Sequence, residues 1–164
     1  LKYKKISKIL KKIEVIDHIK TVRFHTRTAI VIQSRITQEL VDMFNKNRLK
    51  VVFVFHINHA REISDEFMKN LERLKTHTLL NQSVLLKDVN DSAKVLSELS
   101  NKLFESNILP YYVHLLDKVS GADRFLVTDK RAKEIYKTLQ TLLPGYLVPR
   151  MVRDEGGYST RRVL

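Results

Sequence analysis

The residues able to do polar chemistry stand at a few places, and each follows or interrupts an apolar run. His56 and His59 come three apart directly after Val51–Phe55. Asn81 and Gln82 break the run from Thr78 to Leu86. Asp117 closes Pro110-Tyr111-Tyr112-Val113-His114-Leu115-Leu116, and Asp154 comes shortly after Pro149. Two histidines at a strand exit can form a metal pair, but a metal needs a third or fourth ligand and a supporting shell. The two amides can be satisfied core groups or ligand contacts. Asp117 beside Lys118 can be a surface ion pair worth about 1 kcal/mol or less. No Ser-His-Asp arrangement, P-loop or Gly-x-Gly-x-x-Gly element is present. The chain has no cysteine, which excludes disulfides, thiolate nucleophiles and Cys-ligated clusters within it. Spacing alone leaves the function open.

The elements that must position these residues alternate. Strands are expected at Thr21–His25, Lys50–His56, Thr78–Leu86, Leu109–Leu116 and Gly145–Pro149, with centres roughly 30 residues apart, the size of a βα unit. Helix starts are expected after Thr37, Ser64, Asp91 and Thr128, each a side-chain acceptor before an apolar stripe. Residues 1–20 read as the tail end of a preceding unit, a helix with Ile6, Ile9, Leu10 and Ile13 on one face; 21–150 are βα units, and 151–164 form a tail. Strands alternating with helices imply an α/β fold with parallel pairing and outer helices. The unbroken apolar run Val51–Phe55 suits a strand covered on both faces. Five such strands do not close a barrel, so two edges are expected, with something belonging beside the first strand and association invited there. In such folds ligands bind at the C-terminal ends of the strands, where His56, His59, Gln82, Asp117 and Asp154 fall.

Composition sets the class. Of 164 residues, 43% are hydrophobic and 29% charged, enough for one domain with a core. No apolar run approaches the ~20 residues of a membrane span, no signal-peptide pattern is present, and a cytoplasmic location is the default. The chain begins at Leu1 rather than methionine, as expected of an excerpt. Net charge is +12, and residues 1–50 hold 13 Lys and Arg against 4 acids. That excess suits either a polyanion-binding surface or a solvated helix face. Among Lys2–Lys12 the only aromatic residue is Tyr3, so the stacking pattern of single-stranded nucleic-acid binders is missing.

A set of ordered strings goes further. Arg35-Ile36-Thr37, His56-Ile57-Asn58-His59-Ala60-Arg61-Glu62-Ile63, Leu79–Leu86, Val89-Asn90-Asp91, Pro110-Tyr111-Tyr112, His114–Ala122, Gly145–Pro149 and Gly156-Gly157 together resemble the C-terminal half of the lysine 2,3-aminomutase family. Leu79–Leu86 and His114–Ala122 look most like the branch that makes β-lysine for elongation factor P. The resemblance implies a partial (β/α) TIM-like barrel of radical S-adenosylmethionine type, a 4Fe–4S cluster, pyridoxal phosphate and L-lysine as substrate. It implies a pathway link to elongation factor P and its lysyl-ligase, and a tendency to form homo-oligomers. His56 and Gln82 match positions that contact S-adenosylmethionine. Asp117 and Asp154 match the two carboxylates that hold the substrate's distal ammonium.

Two departures stand beside the match. The Cys-x-x-x-Cys-x-x-Cys motif is absent, so these residues cannot hold the cluster. The family's pyridoxal-phosphate lysine falls seven residues after the second substrate acid, where this chain has Arg161, and no lysine follows Lys137. A guanidinium stays protonated and cannot make the covalent link. The leading expectation is therefore part of a β-lysine-forming aminomutase, inactive alone. A non-catalytic remnant or a protein-binding module of the same family is the first alternative, and a basic nucleic-acid-binding domain the second.

Overall fold

The computed structural model describes residues 3–117 and 121–153, together with the backbone of residues 162–163. It contains a single sheet in the order β1-β2-β3-β4-β5-β6: Thr21–Thr26, Lys50–Phe55, Thr78–Leu85, Leu109–Leu115, Arg150–Arg153 and Arg162–Val163. The first five strands pair in parallel and β6 runs antiparallel to β5. Helices intervene: α1 (Tyr3–Glu14), the short α2 (Thr28–Val31), α3 (Gln38–Asn45), α4 (Asp65–Leu71), α5 (Ala93–Glu105) and α6 (Asp129–Leu142). The expected α/β alternation with parallel strands is present, and the first four strands lie within a residue of their expected bounds.

The fifth strand is a correction. Gly145–Leu147 forms a 3-10 turn, and the strand begins at Arg150. Pro144 and Pro149 bracket that turn, and Pro149 has no N–H to give a ladder, so pairing starts only after it. The antiparallel β6 was not anticipated.

Helix starts follow the capping logic with one shift. Thr37, Ser64 and Thr128 accept from the amides of Leu40, Phe67 and Arg131. For α5 the cap is Ser92, accepting from Val95, while the Asp91 carboxylate instead takes the Asp88 amide. Asp88 sits at φ 61°, so the turn before the helix spends Asp91 on itself. On α1, Leu10 is buried and Ile6 packs against the core, but Ile9 is exposed. The frayed carbonyls at the end of α1 are gathered by Arg48, whose guanidinium donates to Glu14, Ile16 and Ile19. One side chain thus satisfies the helix end and pins it beside the start of β2.

The core lies on one face of the sheet. Val51, Phe53, Phe55 and Leu79 pack with Val41, Phe44, Phe67, Leu71, Leu99 and Leu103 from the helices. Leu85, Val113, Leu115 and Met151 pack with Leu96, Ile135 and Leu139. Side chains alternate along a strand, so the intervening residues face the other side: Val54, then His56 just beyond β2, Leu80, Gln82 and Val84 on β3, Tyr112 and His114 on β4. Burial of one face against helices leaves the other to carry a site at the strand ends.

Candidate functional site

His56 is the first residue past β2. Phe55 pairs with Asn81 at the end of the β2–β3 ladder, so the next residue of each, His56 and Gln82, falls on the other face at the same exit. Gln82 sits at an irregularity: Asn81 pairs with Pro110 but Gln82 pairs with Tyr112, leaving Tyr111 as the extra residue. Such a bulge re-aims the side chain beside it. Gln82 Oε1 is buried and takes no hydrogen bond from any described residue. An acceptor sequestered this way costs about 1–3 kcal/mol unless a ligand supplies the donor. The rings of His25 and His56 meet edge to face at 6.0 Å, which sets β1 against the same corner.

The two amides of the Asn81-Gln82 pair therefore have different fates. Asn81 is a satisfied core amide: its Oδ1 accepts from the Ile57 amide at 2.9 Å and its Nδ2 donates to the Ile57 carbonyl at 3.0 Å. Asn58 Oδ1 accepts from the Val84 amide. Asn90, 1% exposed, donates to the carbonyls of Asn58 and Val84 and accepts from the Leu86 amide. These three asparagines tie the exit of β2 to β3. The sequence singles out Asn81 and Gln82 but not Asn58 or Asn90; an asparagine directly after His56-Ile57 is the available signal for Asn58.

His59 is not free for a metal on both ring nitrogens. Its Nδ1 accepts from the Arg61 amide, while Glu62 Oε1 accepts from the amides of Asn58 and His59. This is a capping box for the short turn Ala60–Glu62. The other oxygen of Glu62 pairs with Arg27 at 3.2 Å, joining the exits of β1 and β2. Among the described residues no group of three or more His, Cys, Asp or Glu is placed to hold a metal.

Burial, and secondarily the Arg27 guanidinium, hold the His56 pKa below its ordinary value, which favours the uncharged imidazole. His77, edge-on to Phe44 and Phe53 and with Nε2 buried, is lowered by burial alone. A histidine depressed in the folded state binds fewer protons there than in the unfolded chain. Its stability contribution is complete above the unfolded pKa and is lost as pH falls through the window below about 6.5. The urea midpoint is therefore expected to be lower at pH 5.5 than at pH 7.5; an equal or higher midpoint at pH 5.5 contradicts this environment.

Asp117 lies two residues beyond β4, on the same rim as His56. It is exposed and lines a cavity of about 400 Å³ with Leu116, Leu126, Val127, Thr128, Asp129 and Arg153. Arg153 grips Asp129 through two hydrogen bonds of 2.6 and 3.0 Å, so one wall is an ion pair, and Asp117 belongs to the same lining. Asp154 and Arg161 lie outside the described residues, as does Lys118, the expected ion-pair partner of Asp117. The lysines of the first third mark the outer side of α1: Lys4, Lys8 and Lys11 line a groove with Glu39 and Met43. Tyr3, also in that groove, donates its hydroxyl to the Arg35 carbonyl and stacks under the Arg35 guanidinium.

No family model matches the sequence. Individual relatives do. L-lysine 2,3-aminomutase of Escherichia coli is 48% identical over 158 residues, 95% of this chain and 46% of its own length. The Haemophilus influenzae protein of the same name is 51% identical over 151 residues, 91% of this chain and 45% of its own length. That of Clostridium subterminale is 38% identical over 151 residues, 36% of its own length. The chain thus spans just under half the length of the first two relatives. Identity near one half across nearly all of this sequence, carried by relatives that share one name, makes the chain similar to L-lysine 2,3-aminomutases over just under half of their length.

Proposed function

We propose that this chain supplies the S-adenosylmethionine-facing and lysine-binding rim of a radical lysine 2,3-aminomutase, which converts L-α-lysine to β-lysine within a partial (β/α) barrel. The observation that carries it is the buried Oε1 of Gln82, which has no donor among the described residues, at the strand ends where His56 also stands, in a chain close to half identical to L-lysine 2,3-aminomutases. S-adenosylmethionine offers an ammonium and ribose hydroxyls as donors, and an imidazole and an amide suit such groups. When bound and reduced, this cofactor supplies the radical that starts the family's chemistry. The chain's own residues do the holding. His56 and Gln82 orient the cofactor, Asp117 takes the distal ammonium of lysine, and Asp154 joins it as the second carboxylate. One carboxylate in solvent attracts a cation weakly; two converging on one ammonium set a distance that shorter amino acids do not reach.

The donor set does not fit the other two cofactors. A 4Fe–4S cluster needs thiolates, and the 164 residues contain none. In this reading residues outside them hold the cluster, and the chain makes no β-lysine alone. Covalent attachment of pyridoxal phosphate needs a lysine amine, and the matching position is Arg161. Leu79–Leu86 and His114–Ala122 favour the branch that provides β-lysine for elongation factor P in the cytoplasm. The test is β-lysine formation from L-lysine by this sequence joined to the cluster-bearing part, with Arg161→Lys included. Asp117→Asn is expected to lower kcat/KM at least 100-fold, most of it through KM. A cluster-loaded, cofactor-loaded protein that leaves lysine untouched overturns the reading.

A further inference from the structure

The clamp on Ile57 has a consequence for His56. The β2–β3 ladder ends at the pair Phe55–Asn81. Beyond it the Asn81 carboxamide takes over the role of a backbone partner, accepting the Ile57 amide at 2.9 Å and donating to the Ile57 carbonyl at 3.0 Å. Ile57 itself is fully buried, and Asn81 is 2% exposed. His56 lies between two fixed points, the last ladder pair and this side-chain pair. Its Cα–Cβ direction is therefore set by Asn81. The next residue on β3 is Gln82, turned to the opposite face at the bulge. Adjacent residues thus hold one contact and supply the other.

We propose that Asn81 is the positioning residue for His56, fixing the imidazole at the exit it shares with Gln82 through the two hydrogen bonds to Ile57. The purpose of that fixation rests on His56 and Gln82 as the S-adenosylmethionine contacts; the fixation itself does not. Asn58 and Asn90 are the outer members of the same tie, holding Val84 and the following turn.

The experiment follows histidine ring resonances by NMR in the isotope-labelled chain, wild type and Asn81→Ala, across pH and then with S-adenosylmethionine. His77, packed between Phe44 and Phe53 away from the clamp, reports whether the fold persists. In Asn81→Ala the His56 pKa should rise toward the ordinary histidine value while that of His77 stays lowered, and the S-adenosylmethionine concentration giving half the His56 shift should rise at least tenfold. If His77 also returns to its ordinary value the variant has unfolded, and Asn81→Ser, too short to span to Ile57 but still polar, is measured with the same expectation. His56 unchanged in pKa, with His77 still lowered, in either variant overturns the clamp. A wild-type chain whose His56 ignores S-adenosylmethionine overturns the cofactor reading instead, and leaves the clamp to be judged by the pKa change alone.

Discussion

Arg161→Lys is expected to turn a chain that forms no covalent adduct with pyridoxal phosphate at residue 161 into one that does. Treated with pyridoxal phosphate and then borohydride, the variant should carry a pyridoxyl group on residue 161 in peptide mass spectra, approaching one per chain. The native chain should carry none there. The cause is protonation chemistry. An amine must lose a proton to attack an aldehyde carbon; lysine does so near its pKa of about 10.4, and more readily when buried, whereas a guanidinium holds its proton above about pH 12. A neighbouring insertion or deletion does not relieve this, because residues 155–164 contain no lysine. Adducts scattered over Lys4, Lys8 or Lys11 report exposed amines and are separated by site mapping. A folded variant with no adduct at residue 161 shows that the match at this end of the chain is out of register.

Phe55→Ala should destabilise the chain by about 3–5 kcal/mol, the range for removing a fully buried aromatic ring. Phe55 is 0% exposed. Its ring stacks on Phe53 at 6.3 Å and meets Phe67 edge-on at 5.6 Å, so β2 and α4 both lose a partner. The same strand carries His56 as its next residue. A chain with ordinary domain stability of about 5–15 kcal/mol then has little margin left, and urea unfolding should show a much lower midpoint. A loss below 1 kcal/mol means that the site collapses around the missing ring or that β2 is not central to the core.

Much of the scaffold could be read from residue order because it obeys local rules. Val51–Phe55 is an unbroken apolar run, and Thr37, Ser64 and Thr128 are caps whose effect lies within three residues. The fifth strand was misplaced because Gly145–Val148 has strand-like composition, while what excludes it from the sheet is the pair of flanking prolines. Asp91 was mistaken for a cap because both Asp91 and Ser92 offer an oxygen, and the left-handed Asp88 decides between them. The site is a harder case. Type and position pointed to His56, Gln82 and Asp117 and to their common rim. The split between Asn81 and Gln82 was invisible, since it depends on which amide meets the Ile57 backbone across a strand gap. The link from Glu62 to Arg27 crosses 35 residues and has no local signature.

The most direct test of the central claim is a titration of the labelled chain with S-adenosylmethionine into the millimolar range, followed on the His56 ring and the Gln82 side-chain amide. Saturable shifts at both, absent at His77 and lost in Gln82→Ala, are the predicted result. No shift at His56 or Gln82, in a chain whose His77 still reports the folded state, would contradict it.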